Sequence, residues 1–415
     1  MVTNSPILEL QNPWWKNALA IDQDQHLLAI SNKSYRFEPT FVHRVDLEAG
    51  DIFVLRGPRQ VGKTTAVKLL IQKLLRQSVI PQNIFYLSCE SIATFQELQE
   101  ILSAYLLKHK GHTFIFLDEI SFVSEWQRAI LALANMGLTQ NSSLLLTGSN
   151  ARDLKISSER LPGRRGHGKD LHLFPLSIPE MQQLPCFQNL SFASMLNLYE
   201  RIGGFPRAIA DYVNVGLVTD ETYEIYRNWI IGDAERFSLR QETLRTILYR
   251  IAVTRGTQIT WPKLIENSPV RSHETALEYV EHLQDAFLCK VLHCYDPDNH
   301  GPVFQKARKL YFIDPILYPL ALCWQMGIVN ISRWFETLLQ KNDERGTIFE
   351  SIAINHVARL LPEVYYWYSS KLKKEVDLIV RHQNQLSLYE VKLTFPSRPL
   401  HALNHPVEVI TPEQL

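Results

Sequence analysis

The sequence has no surplus of charge. Its 415 residues carry 43 lysines and arginines against 43 aspartates and glutamates. No global field advertises nucleic acid or a membrane surface, so any polyanion site must be a local patch. No apolar run approaches the roughly 18 residues of a membrane span. The opening stretch, "MVTNSPILELQNPWWKN", lacks the basic start and apolar core of a secretory leader. Cysteine is scarce: Cys89, Cys186, Cys289, Cys294 and Cys323 are odd in number, scattered, and without partners at zinc-site spacing. Reduced thiols in a cytoplasmic protein are expected from that pattern. Repeats and low-complexity segments are missing as well. What remains is nearly half hydrophobic and a fifth charged, the composition of a soluble globular protein with about two to four domains.

Along the chain the pattern changes character several times. Residues 1–45 form an irregular lead-in with the aromatic pair Trp14 and Trp15. From 46 to 175, short apolar strands alternate with helical stretches, which predicts an α/β domain with a parallel sheet. Helical segments dominate 176–236. Further shifts near 237 and 326 divide the rest into 237–325 and 326–415.

The strongest motif is "GPRQVGKTT", which fits G-x-x-x-x-G-K-[ST]. A strand, "DIFVLRG", leads in, and an amphipathic helix, "TTAVKLLIQKLLRQ", leads out. Gly57, Pro58, Arg59, Gln60, Val61, Gly62, Lys63, Thr64 and Thr65 would wrap the phosphates of ATP at a helix N-terminus, where the dipole favours negative charge. Lys63 would neutralise the β- and γ-phosphates and Thr64 would ligate Mg²⁺. About fifty residues on, "HTFIFLDEI" ends a buried strand in Asp118, expected to hold Mg²⁺, and Glu119, expected to orient or deprotonate water. The next strand, "SLLLTGSN", offers Ser149, Asn150 or Thr147 to the γ-phosphate or the attacking water; an ordinary strand-ending turn accounts for them almost as well. In "LPGRRG", Arg164 or Arg165 is a candidate arginine finger, against a solvated basic loop.

The order of P-loop, "FIFLDEI", "LLLTGSN", "LPGRRG", "FPLSIPEM" and "GGFPRAI", with "NPWW" before it, resembles the AAA+ ATPases that carry a C-terminal DUF4143 region. That family is related to the archaeal-type ATPases of the STAND/MNS-like branch. The resemblance covers nearly the whole chain and implies an AAA+ core over 46–175 and a helical lid over 176–236. It also implies that Gly203, Gly204 and Pro206 lie near the nucleotide, with Arg207 as a sensor arginine. Many such proteins form rings, so a homo-oligomer, possibly a hexamer, is implied, with the arginine finger reaching a neighbour.

Residues 237–325 read as three helices followed by strands, the outline of a winged helix. The third helix, from Ser272, keeps an apolar face through Ala276, Leu277, Val280 and Leu283. The face expected to be exposed holds His273, Glu274, Glu278, Glu281 and His282, which is poor for reading bases in a major groove.

The last segment ends in "KKEVDLIV" and "LYEVK", two strands after the helix "GTIFESIAINHVARLL". Glu350, Asp377 and Glu390-x-Lys392 resemble the PD-(D/E)XK core of restriction-endonuclease-like α/β domains. The expectation is Mg²⁺ or Mn²⁺ on Asp377 and Glu390 with Glu350 assisting, Lys392 beside a scissile phosphate, and DNA as partner. The sequence after "EVK" is short and proline-broken, so a trimmed core is expected. Two functions follow: an ATP-driven DNA-handling protein whose tail cuts or grips the strand, or a nucleotide-controlled switch whose tail is an inactive binding module.

Overall fold

The computed structural model describes residues 6–31, 33–149, 166–254, 256–361, 363–383, 385–395, 400–403 and 405–414. It separates into two compact units, Met1–Phe174 and Pro175–Leu415.

The first unit is built on five strands: β1 (Ile52–Arg56), β2 (Ile84–Ser88), β3 (Thr113–Asp118), β4 (Ser142–Gly148) and β5 (Asp170–His172). All pair in parallel, in the order β2-β3-β4-β1-β5. β1, β3 and β4 are buried along their whole length, as continuous apolar runs in a sheet covered on both faces require. The register sets Leu55 of β1 beside Thr147 of β4, and Ser88 of β2 beside Asp118 of β3. The polar ends of three strands therefore share one edge of the sheet.

The lead-in is not irregular. Short helical turns at Pro6–Gln11, Pro13–Trp15, Ala18–Gln23 and Gln25–Ile30 pack onto the same unit. They cover the open edge of β2 with side chains. Asn12 donates to the carbonyl of Tyr86 (2.8 Å) and accepts its N–H (2.7 Å), and Gln11 accepts the N–H of Ser88 (2.8 Å). Both indoles, Trp14 at 3.0 Å and Trp15 at 2.8 Å, donate to the carbonyl of Ile84. Residues 84, 86 and 88 are the positions whose backbone groups face outward, so the edge is closed without another strand.

The same segment explains the helix after the P-loop, Lys63–Arg76. Its polar side chains Lys68 and Gln72 are buried, although the sequence reads as a surface amphipathic helix. Thr64, Lys68 and Gln72 stand four residues apart on one face. Lys68 lies 3.3 Å from Asp24, and Gln72 donates to Asp22 at 2.6 Å. The lead-in covers that stripe and supplies its counter-charge.

The second unit begins with helices Ile178–Gln182, Phe192–Ile202, Pro206–Val215 and Asp220–Arg236. Three more follow, Gln241–Thr254, Trp261–Ile265 and His273–Asp285, then the antiparallel hairpin β6 (Cys289–Asp296) and β7 (Gly301–Phe312). On His273–Asp285 the expected exposed face is corrected at one position. His282 is buried, against the Phe237 ring and facing Asp233 at 3.9 Å.

After helices Leu317–Met326, Ile331–Leu339 and Asn342–Leu360 come β8 (Val364–Ser369), β9 (Lys374–His382), β10 (Gln385–Val391), β11 (Leu400–Ala402) and β12 (His405–Ile410). One seven-stranded sheet, β11-β12-β10-β9-β8-β6-β7, contains the hairpin and the C-terminal strands together. The boundary expected at 325/326 thus falls between strands that share a sheet and a core, with Leu292 and Tyr311 packed beside Ile354, Tyr366 and Leu378. The short segment after "EVK" adds two strands to the sheet: β12 runs parallel to β10, and β11 pairs antiparallel with β12. Among the described residues, no helix is long and apolar enough to cross a membrane.

Candidate functional site

The loop after β1 turns sharply beneath β5. A Cβ placed on Gly57 would stand 2.0 Å from the carbonyl oxygen of Leu173, so only glycine fits this approach. The loop then enters the helix at Lys63 with no side-chain cap and no acidic residue in the first turn. The first N–H groups of that helix are thus kept for an anion.

Four predicted residues meet at the C-terminal edge of the sheet. The Lys63 ammonium bonds the carbonyls of Gly57 and Pro58, both at 3.0 Å, and lies 3.4 Å from Glu119. The Thr64 hydroxyl donates to Asp118 Oδ2 at 2.7 Å. A hydroxyl and a carboxylate side by side form an oxygen-only donor set, suited to a hard cation such as Mg²⁺. Glu119 follows Asp118 in left-handed backbone (φ 51°), which turns its side chain away from the strand direction.

Thr147 and Ser149, at the polar end of β4, have different partners. Thr147 Oγ1 donates to Asp118 Oδ1 and accepts the backbone N–H of Glu119 at 2.9 Å. Ser149 donates to Glu119 Oε2 at 2.9 Å. Burial opposes the charged form of Glu119, but the Lys63 ammonium, the Ser149 hydroxyl and the Arg59 guanidinium outweigh it. The carboxyl is held below its ordinary value and is ionised at neutral pH. Asn150, Arg164 and Arg165 lie outside the described residues.

Sequence reasoning missed Tyr86 and Lys68. The Tyr86 hydroxyl donates to Asp118 Oδ2 at 3.0 Å, the oxygen that Thr64 also contacts. Burial first, and then the Asp118 charge, push its pKa far up, so it stays a donor. The Lys68 ammonium sits 3.5 Å from the centre of the Tyr86 ring and 5.2 Å from that of Trp14. One signal was available: a lysine four residues after Thr64 and four before Gln72, on one face of the helix.

The remaining predicted residues belong to the second unit. Gly203 and Gly204 are required by packing there. Gly203 has φ +64°, and a Cβ on it would stand 1.8 Å from Asp314 Oδ1; the same carboxylate accepts the N–H of Gly204 at 2.8 Å. Pro206 opens the helix Pro206–Val215, and Arg207 bonds Thr222 and Glu221, each at 3.1 Å.

At the C-terminal acids, an unpredicted cation occupies the centre. The Lys309 ammonium, from β7, lies 3.1 Å from Glu350, 3.0 Å from Asp377 and 2.5 Å from Glu375. Tyr311 donates to the same Glu350 oxygen at 2.5 Å, and the N–H of Val391 donates to Asp377 Oδ2 at 3.1 Å. Burial raises the Glu350 pKa against the pull of Lys309, and the Asp377 charge adds to the rise. Glu390 is paired with Lys392 at 3.0 Å, and the Lys392 side chain is half exposed. Among the described residues, the one trio of ligating side chains with donor atoms within 4.8 Å of one another is Glu48, Asp51 and His167. The expected metal set of Glu350, Asp377 and Glu390 does not close in this way.

With this geometry in place, residues 49–182 match a family model described as AAA domain (AAA_14). The matched stretch contains β1 to β5 and the loop Gly57–Thr65. Residues 194–325 match a domain of unknown function, DUF8612, and residues 345–405 another, DUF4143. The chain is similar to an uncharacterized protein of Haemophilus influenzae, 26% identical over 283 residues, covering 63% of this chain and 66% of that protein. The match spans just under two thirds of the relative's length. Among solved structures it is similar to the Aeropyrum pernix ORC2 protein (15% identity, 72% of this chain, 92% of that one, TM-score 0.40). It is also similar to the Thermotoga maritima RuvB Holliday junction branch migration motor (18% identity, 66% and 88%, TM-score 0.31).

Proposed function

We propose that this protein binds ATP with Mg²⁺ at Gly57–Thr65, hydrolyses it, and uses the cycle to act on DNA held by the second unit. The observation that carries the ATPase reading is the convergence of Lys63, Thr64, Asp118 and Glu119 at one sheet edge. Mg²⁺ on Thr64 and Asp118 would supply positive charge to the β- and γ-phosphate oxygens. Lys63 would exchange its loop carbonyls for those oxygens. Ionised Glu119, oriented by Ser149, would take the proton of the attacking water. Arg164 or Arg165 from a neighbouring copy would complete the site in a ring, possibly a hexamer, and Arg207 would act as the sensor arginine.

The DNA reading is supported by the turn between β8 and β9 and the start of β9, where Lys371, Lys373 and Lys374 are exposed. The acidic outer face of His273–Asp285 is unsuited to base readout, so contact through phosphates and a steep salt dependence are expected.

The test is nucleotide binding and turnover by the full chain, with and without single- and double-stranded DNA, over a range of protein concentrations. Lys63→Ala should abolish ATP binding, DNA should raise wild-type turnover, and turnover per subunit should rise with concentration. Tight ATP binding by Lys63→Ala would refute the nucleotide site, and turnover indifferent to DNA would refute the coupling.

Tyr86 belongs to the same site. Loss of its hydrogen bond to Asp118 in Tyr86→Phe should raise the Mg²⁺ concentration for half-maximal turnover roughly tenfold, the worth of one hydrogen bond to a charged group. Metal-free nucleotide binding should be unchanged. An unaltered Mg²⁺ dependence would reduce Tyr86 to a packing residue.

A further inference from the structure

The acids of the C-terminal sheet raise a separate question: what neutralises them. We propose that Lys309 is the resident cation of this pocket, its ammonium occupying the place a divalent metal ion would take, and that it closes the tail to metal-dependent cleavage. The proposal concerns the tail alone and deepens the reading of it as a module that grips a strand.

Three elements build the pocket. β7 brings Lys309, the helix Asn342–Leu360 brings Glu350, and β9 brings Glu375 and Asp377. The Lys309 side chain is 3% exposed, and its three carboxylate contacts match the three N–H donors of an ammonium. The acids are engaged elsewhere too, since Glu350 takes the Tyr311 hydroxyl and Asp377 takes the Val391 N–H. A buried ammonium survives only when paired this fully. A doubly charged ion and an ammonium on the same oxygens would repel strongly in so dry a site, so one excludes the other.

The third predicted ligand is withdrawn as well. Glu390 holds Lys392, which consumes the carboxylate and ties down the amine meant for the phosphate. The i,i+2 pair Lys309 and Tyr311 faces the acids from a hairpin that precedes the nuclease-like motif by about forty residues. Inspection of the motif alone could not reveal it.

The test is Mn²⁺ binding by nucleotide-free full-length protein, read from the loss of the free-ion EPR signal, so that neither ATP nor DNA binding enters. Wild type and Asp377→Asn should bind Mn²⁺ equally, because neither has a metal at this pocket. Lys309→Ala should gain one site, at least tenfold tighter than any wild-type background, and lose it again in Lys309→Ala/Asp377→Asn. ATP turnover of Lys309→Ala should match wild type. A wild-type Mn²⁺ site that Asp377→Asn removes would overturn the proposal. So would a folded Lys309→Ala that gains no affinity. Should Lys309→Ala fail to fold, the comparison of wild type with Asp377→Asn still decides.

Discussion

Glu119→Gln should bind ATP as tightly as the wild type and turn it over about 10²–10⁴-fold more slowly, the usual worth of a positioned general base. The amide keeps the shape of the side chain and can still accept from Ser149, whose hydroxyl lies 2.9 Å from Glu119 Oε2. What it loses is basicity. Isothermal titration with ATP and a phosphate-release assay separate the two effects. Turnover within a few-fold of wild type would remove Glu119 from the chemistry.

The pH profile gives a second view of this carboxylate. In the nucleotide-free state Lys63 is the largest influence holding its pKa below the ordinary glutamate value, against the opposing effect of burial. Nucleotide binding would draw the Lys63 ammonium toward the phosphates, and ATP with its Mg²⁺ would still bring net negative charge nearby. Both changes favour the protonated form, so the pKa should be higher in the complex than in the free enzyme. The acid limb of kcat should therefore lie at higher pH than that of kcat/KM, since the first reports the complex and the second the free enzyme. In Glu119→Gln this limb should disappear from whatever activity remains.

The second large effect is expected far from any reacting atom. Trp14→Ala should destabilise the first unit by about 3–5 kcal/mol, the range for emptying a buried aromatic site. Trp14 is completely buried, donates its indole N–H to Ile84 and lies over the Lys68 ammonium. The same substitution at the partly exposed Trp15 should cost less, although it bonds the same carbonyl. Urea unfolding followed by circular dichroism would give both values. A Trp14→Ala loss under about 0.5 kcal/mol, the scale of an ordinary surface change, would mean that the lead-in does not support the fold.

The lead-in also bears on the nucleotide site through a continuous set of contacts. Asp24 pairs with Lys68, Lys68 sits on the Tyr86 ring, and the Tyr86 hydroxyl bonds Asp118. Asn12 holds Tyr86 by both of its backbone groups. Segment and site therefore share one polar network, so Trp14→Ala should weaken the Mg²⁺ response in the same direction as Tyr86→Phe.

Some of this protein is determined by short stretches of sequence. The nine residues "GPRQVGKTT" specify a loop at a helix start because glycine conformation and helix-end hydrogen bonding act within a turn or two. A run of apolar residues ending in Asp118-Glu119 specifies a buried strand with carboxylates at its end, because strand periodicity is equally local. The parallel α/β unit followed from the alternation of such pieces.

Other features depend on partners far apart in the chain. Asn12 meets Tyr86 across 74 residues, and Lys309 meets Asp377 across 68. Neither residue in either pair has a local pattern that names the other. The same holds for Gly203, whose lack of a side chain is explained by Asp314, and for His282, whose polar ring turns inward to face Asp233. A motif states which acids are available to bind a cation. Only the folded chain decides whether that cation is a metal ion or a lysine, because the choice depends on which side chain the tertiary packing delivers to the pocket first.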